Sequence, residues 1–573
     1  MDKAIKKMVF DETQGLYTIN FSTNSSQILL GKMVLDEVMI RPNFKKMDSL
    51  VKMGNPPCRI YLVKIKNIEI YFFSGLLEAF WKNHWKIDLI KMAEPQFSII
   101  LSSHPCTSTQ TPLKPSSPSH KLGIGNIEIK KFQILSAKIE VLTPSLKERP
   151  YAFKSSNIML DADNVRWNDR EKNHSLLEIL KGISFSVVMK EAHWISPQGN
   201  YQIVSQRVFY THREGIMEME NCQGKASRDS TANKFPLEPP KGLHFDLKYV
   251  LFRGFNWPSL LLGESFEVDS VHIQSGNIGV IDEHQAPHGH IYKPLPQEWL
   301  EKISMPLSIK IMEFKDLSMA YEERNQETGK SGNLNFFHSS GIIQNIHNRS
   351  FTKIREDSVL IRFTSSFYGK GNLVVNLGFN LQSPDLDFKV HAHMTQFPLI
   401  EINSMTLPLA GIKVSGGNLN SLNFTMQGNR WKTQGKVNAL YRNLRLKFLV
   451  QSRIKDPKKI KTMSSLANTF LILNDNPILG EKERVSEFQF TRDPSRSFFN
   501  YVWKSLFTGL KPILGITTDR EKSIYSFIQQ LQNYEKWDRE LKPERRQHRK
   551  IRREKRILRQ LEKGLNSGFI SPV

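Results

Sequence analysis

Residues 416–449, "GGNLNSLNFTMQGNRWKTQGKVNALYRNLRLKFL", alternate apolar and polar side chains with almost no break. Leu422, Phe424 and Met426 fall on one side of the chain and Asn423, Thr425 and Gln427 on the other. After a Gly-Asn turn, Val437, Ala439 and Tyr441 resume the beat, followed by Leu444, Leu446 and Phe448. A period of two is that of a β-strand with one dry face, and no helix can use it. Most of the chain to about Val450 reads the same way, as strands parted by Gly, Asn, Asp and Pro turns.

Part of this pattern occurs twice. "WKIDLIKMAEPQFSII" (Trp85–Ile100) is answered by "FEVDSVHIQSGNIGVI" (Phe266–Ile281), with Asp88 recurring as Asp269. Upstream, "IEIYFFSGLL" (Ile68–Leu77) is answered by "FRGFNWPSLL" (Phe252–Leu261), and downstream "IEIKKFQI" (Ile127–Ile134) by "MEFKDLSM" (Met312–Met319). Three matches in one order predict a duplicated β unit. Ser103–Lys121 and Cys222–Gly242, rich in Pro, Ser and Thr, read as loops. Short helices are expected at Leu176–Leu180 and Pro296–Ile303. The predicted organisation is a first β unit with linkers (1–235), a second homologous to part of it (236–349) and a third β region (350–450). A strand with an amphipathic helix (451–516) and a charged basic helical tail (517–573) complete it.

In Ser497–Gly515 the spacing becomes helical: Phe499, Val502, Trp503, Leu506, Phe507 and Leu510 fill one arc, opposite Asn500, Lys504, Thr508 and Lys511. Such a helix suits either a membrane interface or the dry side of a sheet. Phe499, Trp503, Lys504, Phe507 and Lys511 are therefore candidates for membrane contact. Leu422, Phe424 and Met426 are candidates for contact with lipid on the strand face.

The net charge of +24 favours an anionic partner, and residues 541–563 alone carry 11 basic and three acidic residues. An anionic membrane surface fits this tail; the scattered charge of the β region does not support nucleic acid. No nucleophile elbow, zinc-protease helix, phosphate loop or dinucleotide fingerprint occurs, so neither an enzyme nor a cofactor is expected. "DEHQAPHGH" (Asp282–His290) lacks ordered ligand spacing and reads as a solvated loop, and His391 and His393 read as the polar face of a strand. The three cysteines, Cys58, Cys106 and Cys222, are far apart and imply no disulfide framework.

In their order, "GLYTINF", "LGKMVLDEVMIRPNF", the strand–"LL"–strand units, "GGNLNSLNFTMQGN", "GKVNALYRNLRLKFL" and "FTRDPSRSFFNYVWKSLFTGLK" resemble the AsmA-like proteins of the Gram-negative envelope, in the form common in Bacteroidota. The resemblance spans Gly15 to about Ile516. It implies elongated, curled antiparallel β-sheets that form an apolar groove, related to bridge-like lipid transfer proteins, with no catalytic residues. It further implies a protein at the periplasmic face of the inner membrane that binds or guides phospholipid or other acyl-chain lipid. Support of outer-membrane assembly, with envelope assembly proteins as partners, belongs to the same expectation. A scaffold with a closed β core acting through protein–protein contacts shows the same alternation. Relatives carry an anchor helix just before "GLYTINF"; neither it nor an export signal is present in this sequence. A beginning encoded upstream of Met1 is the corresponding expectation.

Overall fold

The computed structural model describes residues 2–23, 31–53, 57, 59–72, 84–101, 126–143, 151–168, 183–196, 201–226, 242–262, 265–282, 292–303, 305–324, 329–348, 357–448, 472–516, 519 and 547–559. These form one mainly antiparallel, 20-stranded sheet in which strands pair in chain order. The first strands are β1 (Tyr17–Thr23), β2 (Lys32–Pro42), β3 (Arg59–Tyr71), β4 (His84–Ala93), β5 (Gln96–Leu101), β6 (Asn126–Leu142) and β7 (Tyr151–Asn168). They are followed by β8 (Ser184–Ile195), β9 (Tyr201–Thr211), β10 (Ile216–Ala226), β11 (Leu243–Arg253), β12 (Phe266–Asp282), β13 (Leu307–Arg324) and β14 (Ser331–His347). The last are β15 (Ser358–Phe367), β16 (Gly371–Asn380), β17 (Phe388–Pro398), β18 (Ile412–Gly428), β19 (Lys432–Phe448) and β20 (Val485–Thr491). β4 and β5 lie end to end along β3, parted by Glu94 and Pro95. Cys222–Ala226, expected in a loop, instead complete β10: Cys222, Gln223 and Gly224 pair with both neighbours, and Lys225 and Ala226 with β9.

Helices are few: α1 (Asp2–Glu12), α2 (Phe44–Lys52), α3 (Trp257–Leu262), α4 (Pro296–Glu301), α5 (Asn403–Ala410) and α6 (Phe498–Ile513). A further helical stretch at 547–559 is exposed throughout. The helix expected at Leu176–Leu180, most of the 282–290 segment, and Cys58 and Cys106 lie outside the described residues. The turn at Gly369 joins β15 to β16 with φ +70°.

The register repeats within the sheet. β4 runs parallel to β6, and β12 parallel to β13, the same irregularity at the same place in two successive stretches. Asn67 faces Ala93 as Tyr249 faces Gln274, and Lys64 faces Gln96 as Asp246 faces Asn277. An outward ion pair recurs, Asp88–Lys130 at 2.5 Å and Asp269–Lys310 at 2.6 Å. Trp85 faces Ile127 while Phe266 faces Leu307, so the counterpart of Ile127 is Leu307 and not Met312. The third sequence match is thus out of step by five residues. Glu128 and Lys130 coincide with Glu313 and Lys315 in that match, but the strand partner fixes the alignment.

A row of left-handed residues crosses both stretches in matching order. Glu37, Glu94, Ser136 and Asn157 in the first are answered by Asn221, Ser275, Asp316 and His338 in the second, all with φ between 49° and 56°. Positive φ in a strand marks a bulge, and a bulge bends the strand and sharpens its twist. Because these bulges are nearly in line, the sheet from β2 to β14 folds along one seam.

Candidate functional site: an apolar trough along the seam

Directly paired residues project from the same face, so a chain of partners traces a line across the sheet. On one side of the seam Leu35 pairs with Ile68, Ile68 with Met92, Met92 with Ile134, Ile134 with Leu160 and Leu160 with Val187. From Val187 the line passes through Tyr210, Met217, Phe252, Val271 and Met312 to Ile343. On the other side, Tyr61 leads through Ile99, Val141, Phe153 and Trp194 to Ile203. There Gly224 intervenes, and the line resumes at Phe245, Ile278, Met319 and Phe336. No charged residue interrupts either line. From β7 to β13 residues of both lines share one hydrophobic cluster, which places them on one face.

Between the lines the seam forms a floor of mostly small residues: Ala192 pairs with Ser205, Ser205 with Cys222, Leu247 with Gly276 and Leu317 with Ser339. Ala192, Ser205 and Ser339 are wholly buried. The Ser205 hydroxyl reaches the Arg207 and Glu220 carbonyls at 2.9 and 3.1 Å. Ser339 reaches Ser365 Oγ at 3.0 Å. These bonds satisfy the hydroxyls at the bend without opening the floor to water. Burial lifts the Cys222 thiol to about 11, with the nearby Asp246 charge adding to it, and lifts the Tyr201 hydroxyl to about 12. Both shifts follow from burial, which disfavours the charged form.

The trough differs along its length. From β3 to β8 its walls are lined by half-buried side chains, Ile134, Leu160 and Val187 among them, and a cavity of about 350 Å³ lies against Tyr61, Val63, Phe97, Ile99, Ile134 and Ile139. The outer face is charged, with Lys32–Glu69 and Asp88–Lys130 pairs. Among the described residues, α1 packs on β1, α3 beside β12, α5 between β14 and β18, and α6 against β19 and β20.

In the β13–β20 section α6 lies inside the curl. Phe499 packs on Tyr321 of β13 with centroids 4.2 Å apart and rings tilted by 32°, and meets Phe336 of β14 edge-on at 6.4 Å. Phe498 meets Phe379 of β16 and Phe388 of β17, and Tyr501 packs on Phe490 of β20. Ser505 Oγ is 2.9 Å from Thr433 Oγ1 of β19. A buried polar cluster closes one end. Asn500 Nδ2 donates to both Glu323 oxygens at 3.0 and 3.2 Å. Tyr321 Oη lies 3.1 Å from Asp282 and 3.2 Å from Ser497, with Lys293 paired to Asp282. Burial foremost, then the Glu323 and Asp282 charges, push the Tyr321 hydroxyl far above its ordinary value.

This arrangement revises the candidate residues. Leu422, Phe424 and Met426 face inward as their alternation predicts, but they are 8%, 2% and 1% exposed. Phe424 stacks on Phe488 at 5.9 Å in the core that α5 and α6 fill, so these three are packing residues of a sealed section. The deepest face of α6 is Asn500, Tyr501, Ser505, Gly509 and Ile513, not the larger arc from Val502 to Phe507. Small residues decide this: a Cβ on Gly509 would lie 2.4 Å from Val437 Cγ2, so the helix seats its flattest side on the sheet. Trp503 is half-buried against the core and stacks on Phe507 at 6.4 Å. Lys511 Nζ covers the Phe507 ring at 5.7 Å, and Lys504 is exposed. Phe499 and Trp503 are therefore engaged with the protein itself. His391 is exposed, and His393 bonds Asn423 at 2.7 Å, both on the outer face.

Among the described residues no group of three His, Cys, Asp or Glu is placed to hold a metal ion, and no helix is long and apolar enough to cross a membrane. Neither protein-family models nor curated proteins give a match to this chain.

Proposed function

We propose that this protein binds acyl-chain lipid in the trough between β3 and β12 and works without catalysis. The observation that carries the reading is the pair of apolar lines, one of them stepping over Gly224, that flank a dry floor and are half-buried at Ile134, Leu160 and Val187. A concave apolar surface of this extent costs solubility unless something apolar occupies it. Adjacent strands lie about 4.8 Å apart, so eight steps from β3 to β12 give a trough of about 40 Å. One leaflet of a bilayer holds its chains in about 15 Å. The trough therefore matches two or three acyl chains laid end to end, with headgroups at its open rim.

The same proposal includes the AsmA-like resemblance and its setting: an envelope protein on the periplasmic side of the inner membrane, phospholipid as ligand, and outer-membrane assembly as the process served. The scaffold reading draws on a separate observation, the sealed β13–β20 core, and would make that section the protein-binding part.

Native mass spectrometry of gently purified protein tests the lipid reading. Co-purifying phospholipid is expected, and Leu160→Asp or Val187→Asp should lower occupancy severalfold while the sheet remains folded. Absence of lipid, or occupancy indifferent to both changes, overturns it in favour of the scaffold.

A further inference from the structure

We infer that α6 is a fixed plug that closes the trough at β13, making it a dead-ended container for acyl chains rather than a passage through the whole sheet. The inference rests on the lipid reading but comes from a different part of the molecule. The concave face continues past β12: Met312 pairs with Ile343, Ile343 with Ile361, Ile361 with Leu377, Leu377 with Val390 and Val390 with Met426. The apolar track is therefore laid down to β18, yet its far section holds the chain's own helix.

An α-helix with its side chains is about 10 Å across. α6 spans the space between opposing parts of the curl, with ring contacts to β13, β14, β16, β17 and β20 and a hydroxyl pair to β19. The helix thus occupies the place that a hydrocarbon chain would need in this section. The seating is specific: Gly509 lets the helix touch Val437 and Phe488, Ser497 Oγ caps the first turn through the Asn500 N–H, and Asn500 fastens it to buried Glu323. A helix that moved aside to admit lipid would leave Glu323, 7% exposed, without its Asn500 donor in an apolar channel. Lipid chains are accordingly confined to β3–β12, and they enter and leave by the open rim.

Photo-crosslinking with a diazirine-bearing phospholipid, mapped by peptide mass spectrometry, tests this on the full chain. Wild type and a locked Thr433→Cys, Ser505→Cys disulfide variant should label alike, on Ile134, Leu160, Val187 or Phe252 and their neighbours, with under a tenth of the label on Leu377, Val390 or Met426. Gly509→Leu should displace α6 and raise labelling at Val390 and Met426 at least fivefold. Substantial wild-type label on β16–β18 that disappears on locking would overturn the plug and show a mobile gate. Loss of all labelling in the locked variant would do the same. No label anywhere on the wild type defeats the lipid reading itself, a distinct result. Should Gly509→Leu misfold, the wild-type and locked proteins decide the matter alone.

Discussion

Asn500→Ala tests the seat of α6 directly. Asn500 Nδ2 donates to both Glu323 oxygens at 3.0 and 3.2 Å, and the two residues are 5% and 7% exposed. Because one amide group makes both contacts, they count as one shared charge-assisted bond. Such bonds contribute about 1.5–3 kcal/mol, and stranding the buried acceptor adds cost that relaxation and Tyr321 Oη, 3.3 Å away, partly offset. A loss of about 2 kcal/mol is a fair central value, equivalent to about 30-fold in the equilibrium for local opening of α6. Hydrogen exchange read by mass spectrometry on peptides covering 498–513 should show protection falling by about that factor. Peptides from β6–β8 should not change. Asn500→Asp, which sets a second carboxylate against Glu323, should loosen the helix further. Exchange of 498–513 within twofold of wild type in Asn500→Ala would refute the claim that this bond holds the helix.

Phe424→Asp should abolish folding of the β13–β20 section, seen as lost near-ultraviolet dichroism, whereas Val187→Asp should spare folding and lower lipid occupancy. Ala192→Leu would force three extra carbons into a wholly buried floor position; overpacking of about 1–3 kcal/mol should lower the thermal midpoint measurably. For Lys32–Glu69, at 2.9 Å, the mutual bond lowers the Glu69 pKa below 4.5 and raises that of Lys32 above 10.5. Its contribution is present between those values. It is lost as pH falls through the lowered Glu69 value, and equally as pH rises through the raised Lys32 value. The stability difference between wild type and Lys32→Met should follow that window in calorimetric scans across pH. Cys222, buried and lifted to about 11, should resist a thiol reagent in the native protein at pH 8 and react at once in denaturant.

Strand alternation was legible wherever a strand runs straight: Leu422, Phe424 and Met426 share a face in both sequence and structure. It failed at the seam. In "MEFKDLSM", Phe314 and Leu317 both point to the core, three residues apart, because Asp316 takes φ 56° and absorbs the extra residue. Two polar residues in succession inside an apolar beat were the available signal. The trough itself could not be read from one strand, since it exists only as a line of partners from many. The cleanest alternation, at Leu422, Phe424 and Met426, belongs to a strand whose dry face is buried in the core. A strand covered on its dry face needs strict alternation, while trough walls tolerate Tyr210 and Gly224 in the line. In α6 the large residues predicted the wrong face because helix–sheet distance is set by Ser505 and Gly509.

The change of section at β14 has a physical cause in strand length and bulge position. β6, β7, β13 and β14 are 17–18 residues long and carry left-handed residues mid-strand, so each folds across the seam and supplies floor and both walls. β15, β16 and β17 are 10–11 residues long. In this stretch the left-handed residues Tyr368 and Leu386 fall in the turns, with only Gln396 near a strand end. Strands without a central fold cannot supply two walls each. The sheet closes there by its own twist and curl, as a partial barrel does, and a partial barrel needs filling. The chain supplies that filling from α5 and α6. The open trough and the helix-filled curl thus belong to one sheet and part where the short strands β15–β17 begin; β18 and β19, 17 residues each, fold again at Asn443, φ 56°.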